Sequence, residues 1–81
     1  MINRLMNVLV EGYGSMGVRH AATAMSLGHA VAVVDRDTER LRLATEAGAV
    51  FVSDDAKAAL GSWGVDAAVI ATPVAARTRW P

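Results

Sequence analysis

The sequence contains no cysteine, few aromatic residues and no excess of charge of either sign. Without cysteine, disulfide bonds and thiolate chemistry are excluded. Lys plus Arg and Asp plus Glu number 8 each, so no net charge attracts nucleic acid or an anionic membrane. The apolar stretch at residues 8–10 is too short for a membrane span or a signal-peptide core. We therefore expect a cytoplasmic protein with no nucleic-acid or membrane partner.

The length of 81 residues allows at most one small domain. A chain of this size buries only about 60% of its unfolded surface, which favours a module or a fragment over a complete enzyme. We expect one domain over residues 1–81 that is incomplete at its C-terminal end. The last predicted strand is apolar throughout, as in a strand with neighbours on both sides, and its open edge predicts self-association.

Short apolar runs alternate with segments of helical periodicity. The runs typical of buried parallel strands are 6–11, 30–34, 50–52 and 67–71. Gly28 and Gly48 end the first two predicted helices, Asp37 caps the second, and Asp54 or Asp55 caps the third. The predicted inward-facing residues are Val18, Ala21, Ala22 and Met25 in the first helix, Leu41, Ala44 and Ala47 in the second, and Ala56, Ala59, Leu60 and Trp63 in the third. The pattern predicts an α/β fold.

Three glycines follow the first predicted strand in the spacing G-x-G-x-x-G. Gly12 allows a tight turn, Gly14 lets a pyrophosphate approach the backbone, and Gly17 lets the helix pack closely on the strand. Ser15 and Met16 offer backbone N–H groups at the helix N-terminus, where an anion is stabilised. An ordinary strand-to-helix turn is the alternative. The full context predicts a Rossmann-like half-domain, with a four-stranded parallel sheet in the order 3-2-1-4 and helices on both faces.

An acidic residue ends the second predicted strand. Asp35 lies where a carboxylate can accept hydrogen bonds from the adenosine ribose hydroxyls, which favours NAD and disfavours the 2′-phosphate of NADP. The neighbouring Arg36 can stack on adenine or pair with a 2′-phosphate, so NADP stays an alternative cofactor. Arg36 can also be a solvated loop charge with no role in binding. We find no spacing of His, Cys or carboxylates that suits a metal.

Four segments resemble the N-terminal half of the Gfo/Idh/MocA oxidoreductases, a family of sugar and polyol dehydrogenases. They are GYGSMG at 12–17, RHA at 19–21, VVDRD at 33–37 and VDAAVIATP at 65–73. The resemblance implies that Thr72 and Pro73 contact the cofactor near its nicotinamide. It also implies that the family's catalytic lysine and substrate domain would follow Pro81, so no catalytic residue is assigned and we expect the chain alone to be inactive.

Two other functions remain open from the sequence. A non-catalytic NAD(H)-sensing regulatory module would use the same glycine loop and acid to bias a partner interface. A methyltransferase-like fold is the weaker alternative, because its acid and three glycines at alternate positions are spaced differently from Glu11 and the glycines of this chain.

Overall fold

The computed structural model of the chain describes residues 5–71. Within this range strands and helices alternate: β1 (Asn7–Glu11), α1 (Ser15–Ser26), β2 (Ala30–Val34), α2 (Thr38–Ala47), β3 (Phe51–Ser53), α3 (Ala56–Ser62) and β4 (Ala67–Ile70). The four strands form one parallel sheet in the order β3-β2-β1-β4. The predicted fold class and strand order are therefore confirmed.

The apolar runs of β1 and β2 make the centre of the sheet. Val8 pairs with Val31 and Val10 pairs with Val33, and the two central residues Val10 and Val33 are fully buried. Strands of this kind are covered on both faces, which is why their sequences are continuously apolar and do not alternate with polar residues.

The two faces of the sheet carry separate apolar clusters, because successive side chains of a strand point to opposite faces. On one face α1 and α2 cover the sheet, and the buried residues are Val8, Val10, Tyr13, Ala21, Val31, Val33 and Ala44. On the other face α3 covers it, and the buried residues are Leu9, Ala32, Val34 and Ala59. Helices therefore lie on both faces, as predicted.

The buried face of α1 differs from the predicted one. Val18 and Ala22 are exposed, and Gly17 and Ala21 are the buried residues, with Ala24 and Met25 half-buried behind them. The reason is the contact of Gly17 with the backbone of the preceding loop, which fixes the rotation of the helix about its axis. Residues four, seven and eight positions after Gly17 then face the sheet.

Two further inward positions were predicted wrongly. Ala47 is exposed because Gly48, with φ 118°, turns the chain at the end of α2, and Ala49 packs against the core in its place. Leu60 is 53% exposed, because α3 spans only Ala56–Ser62 and rests on the sheet through Ala59. Trp63 packs against the second cluster as predicted.

Strand β4 lies at the edge of the described sheet and pairs with β1. Its residues alternate in burial: Ala67 and Val69 are half-buried, whereas Ala68 and Ile70 are exposed. On the second face of the sheet, α3 covers β2 and β3. The apolar side chains that β4 places on this face are in contact with solvent.

Candidate functional site

The glycine loop between β1 and α1 has a backbone that only glycine fits at two positions. Gly12 has φ 95°, a left-handed conformation that side chains rarely adopt, and its N–H donates to the Val34 carbonyl over 2.7 Å. A Cβ on Gly17 would lie 1.7 Å from the Gly12 carbonyl oxygen. The first turn of α1 therefore rests directly on the loop backbone, which is the close helix-to-strand packing that the spacing predicts.

Tyr13 anchors the same loop from inside. Its side chain is only 6% exposed and packs in the first apolar cluster together with Val10, Val33 and Ala44. Tyr13 was not among the residues predicted to be buried, although a large aromatic side chain is a signal of burial even in a loop. Burial of Tyr13 holds the loop against the carboxyl ends of β1 and β2.

The N-terminus of α1 opens at this loop without a side-chain cap. Gly14 is the N-cap residue, no side chain of the described residues caps the helix, and its first turn contains no acidic residue. A Cβ on Gly14 would meet only Nη1 of Arg40, at 4.0 Å, so the space in front of the helix is open. Ser15 and Met16 are exposed there. The free N–H groups and positive end of the helix dipole favour an anion at this point.

Asp35 follows β2 and faces the glycine loop. Its Oδ2 accepts a hydrogen bond from the Tyr13 N–H over 2.7 Å, and its Oδ1 accepts one from the Asp37 N–H over 2.9 Å. Only 9% of the side chain is exposed. One carboxylate thus connects the loop after β1 with the loop after β2, and both loops lie at the carboxyl edge of the sheet where such folds bind ligands.

Arg40 extends from the first turn of α2 toward the same carboxylate. Its Nη1 lies 3.7 Å from Oδ2 of Asp35, and its Nε lies 4.0 Å from Oδ2 of Asp37. Asp37 fixes the start of α2, because its side chain accepts from the N–H groups of Glu39 and Arg40. Arg40 was not singled out from the sequence, in which Arg36 is the arginine next to Asp35. The signal for Arg40 is its place three residues after the cap, on the turn that follows Asp35.

Most of the predicted cofactor-binding residues lie together at this edge. The glycine loop and the start of α1 bring Gly12, Gly14, Ser15, Met16 and Gly17 opposite Asp35. Arg36 is exposed in the loop between β2 and α2. Thr72 and Pro73 lie outside the described residues.

The chemistry available at the edge is that of anion and hydroxyl recognition. In the part of the chain that the structure describes, no three His, Cys, Asp or Glu side chains are grouped so as to hold a metal ion.

In that same part no helix is both long and apolar enough to pass through a membrane.

The chain is similar to a known protein domain. A protein-family model described as the TrkA-N domain matches residues 8–78, a span that contains the glycine loop, Asp35 and Arg40. No curated protein and no solved structure matches the chain. The narrower likeness to the Gfo/Idh/MocA oxidoreductases is not supported by these comparisons.

Proposed function

The chain belongs to the TrkA-N domain family of Rossmann-like NAD(P)-binding domains, and on this premise we propose how it binds a nicotinamide dinucleotide. The diphosphate occupies the open space in front of α1, and the adenosine ribose lies at Asp35. The observation that carries this proposal is the uncapped N-terminus of α1 at Gly14, next to a loop residue, Tyr13, whose N–H donates to the Asp35 carboxylate over 2.7 Å.

The residues present fit such a ligand on physical grounds. Gly14 leaves room for an anion to reach the backbone, and the N–H groups of the first helical turn are the donors. A carboxylate offers about four acceptor positions. The N–H groups of Tyr13 and Asp37 each use one position of Asp35, so acceptor capacity remains for a ribose hydroxyl at the exposed edge of the side chain.

We infer that this domain is the cofactor-binding part of an oxidoreductase. A second candidate function, an NAD(H)-sensing regulatory module, is favoured by one observation. The Asp35 carboxylate also holds the N–H of Asp37, the cap of α2, so a ligand at Asp35 acts on the start of that helix. Catalytic turnover with NAD(P)(H) as the redox partner distinguishes the two functions.

The binding mode is tested with Gly14→Val, followed by the fluorescence of NADH on titration with the chain. Gly14 has φ −79° and ψ −164°, an extended conformation that valine adopts readily, so the variant should fold. Its side chain would fill the diphosphate space, and we expect NADH affinity to fall at least tenfold.

Gly61→Val is the matched control, because a Cβ at Gly61 meets nothing within 4 Å. We expect NADH affinity in this variant to equal that of the unmodified chain. Equal NADH affinity in Gly14→Val and the unmodified chain would show that the loop is only a strand-to-helix turn, and the proposed binding mode would be wrong.

A further inference from the structure

The Arg40 guanidinium lies over the glycine loop at the adenosine end of the proposed site. Nη1 is 3.7 Å from Oδ2 of Asp35 and 4.0 Å from the position that a Cβ of Gly14 would take. The side chain therefore stands between the acid that would meet the ribose and the space that would hold the diphosphate.

Arg40 is not locked in this position. Its distances to Asp35 and Asp37 exceed hydrogen-bond length, and its side chain is 51% exposed. Without a hydrogen bond to either carboxylate, the half-exposed guanidinium can be redirected by a ligand. Arg42, two residues further along α2, differs because its guanidinium is hydrogen-bonded to both Glu39 and Glu46.

The Asp35 carboxylate already has partners of opposite polarity before a ligand arrives. Two backbone N–H groups and the Arg40 guanidinium face the carboxylate, and little of it is exposed. The repulsion that a bare carboxylate would exert on a 2′-phosphate is correspondingly weakened. A planar guanidinium beside the ribose position can instead form paired hydrogen bonds with such a phosphate.

We propose that Arg40 binds the 2′-phosphate of NADP(H), so that this site accepts NADP(H) as well as NAD(H). The inference rests on the proposed dinucleotide function and adds a specificity-determining residue to it. On binding, the guanidinium turns from Asp35 and Asp37 onto the phosphate, and the ribose 3′-hydroxyl keeps its acceptor on Asp35.

The test measures the Kd of NADH and of NADPH by fluorescence titration for the unmodified chain, Arg40→Gln and Arg40→Lys. We expect the two Kd values of the unmodified chain to lie within about tenfold of each other. Arg40→Gln should weaken NADPH binding by about tenfold or more, since a charge-assisted pair is lost, and change NADH binding less than about twofold. Arg40→Lys should keep part of the NADPH affinity, because it keeps the charge but not the planar donors.

Arg42→Gln is the matched control and should not change the ratio of the two Kd values, and Arg36→Gln tests the other arginine near the site. An equal loss of NADH and NADPH affinity in Arg40→Gln, no loss of either, or a selective NADPH loss in Arg36→Gln instead would each overturn the inference. An unmodified chain that binds NADH but not NADPH would also overturn it while leaving the proposed function intact. Binding of neither dinucleotide would refute the proposed function itself.

Discussion

Replacing Gly17 by alanine should destabilise the domain severely, although the change adds only one methyl group. The new Cβ would lie 1.7 Å from the Gly12 carbonyl oxygen and 2.8 Å from its carbonyl carbon, where real Cβ atoms stay beyond about 3.0 Å. Both contacts are with backbone, so no side-chain rotation relieves them. Overpacking of this kind costs about 1–3 kcal/mol and sometimes more, and we expect about 3 kcal/mol here.

This loss is large compared with the stability of so small a chain. At about 0.05–0.15 kcal/mol per residue, 81 residues give a free energy of unfolding of about 4–12 kcal/mol. A loss of about 3 kcal/mol lowers the Tm of a domain of this size by about 12–24 °C. The measurement is a thermal melt followed by circular dichroism, with NADH titration of whatever fraction stays folded.

The control is the same substitution at Gly61. This glycine lies in α3, a Cβ there meets nothing within 4 Å, and alanine is the better helix former by about 0.5–1 kcal/mol. Gly61→Ala should therefore raise the Tm slightly while Gly17→Ala lowers it. If the two variants melt within a few degrees of each other, the contact between α1 and the glycine loop does not constrain the fold as argued.

Three other outcomes are expected. Asp37→Ala should lower the free energy of unfolding by about 0.5–2 kcal/mol in a urea titration, because α2 loses its cap; an unchanged midpoint would contradict the capping role. The hydrogen bond from Arg42 lowers the pKa of Glu39 below its ordinary 4.5. The contribution of this hydrogen bond to folding stability is therefore fully present above pH 4.5 and is lost as the pH falls through the lowered pKa. NMR titration of Glu39 should show the lowered pKa, and Arg42→Ala should abolish the shift. The chain should self-associate through the exposed face and edge of β4, and Ile70→Lys should shift sedimentation toward monomer; a monomeric unmodified chain would contradict this prediction.

The strands and their order could be predicted from the sequence because buried parallel strands consist of nearly continuous apolar residues. The glycine spacing then identified the turn at which β1 passes into α1. The rotation of α1 could not be predicted in the same way. Val18 and Ala22 satisfy helical periodicity, yet the contact between Gly17 and the Gly12 carbonyl is a tertiary constraint that periodicity does not contain.

The acid of the candidate site was predictable from its position, but its surroundings were not. Asp35 directly follows β2, and its place beside the glycine loop follows from the motif. Arg36 is adjacent in sequence and was therefore chosen as the cation, whereas the first turn of α2 brings Arg40 back over the loop. Side chains of a helix tilt toward its N-terminus. Arg40, in the first turn of α2, therefore points back toward Asp35, five positions earlier in the chain. Tyr13 was missed because its place between two loop glycines suggests exposure, whereas its aromatic side chain is the signal of burial.

The double role of the Asp35 carboxylate has a consequence for the entropy of binding. By accepting the N–H groups of Tyr13 and Asp37 together, it joins the two loops of the site while the domain folds. A ligand then meets loops that are already ordered, and the conformational entropy of arranging them is lost during folding and does not reduce affinity. A substitution of Asp35 removes the hydrogen bonds to both loops at once, so it would lower the affinity for every nucleotide that binds between them.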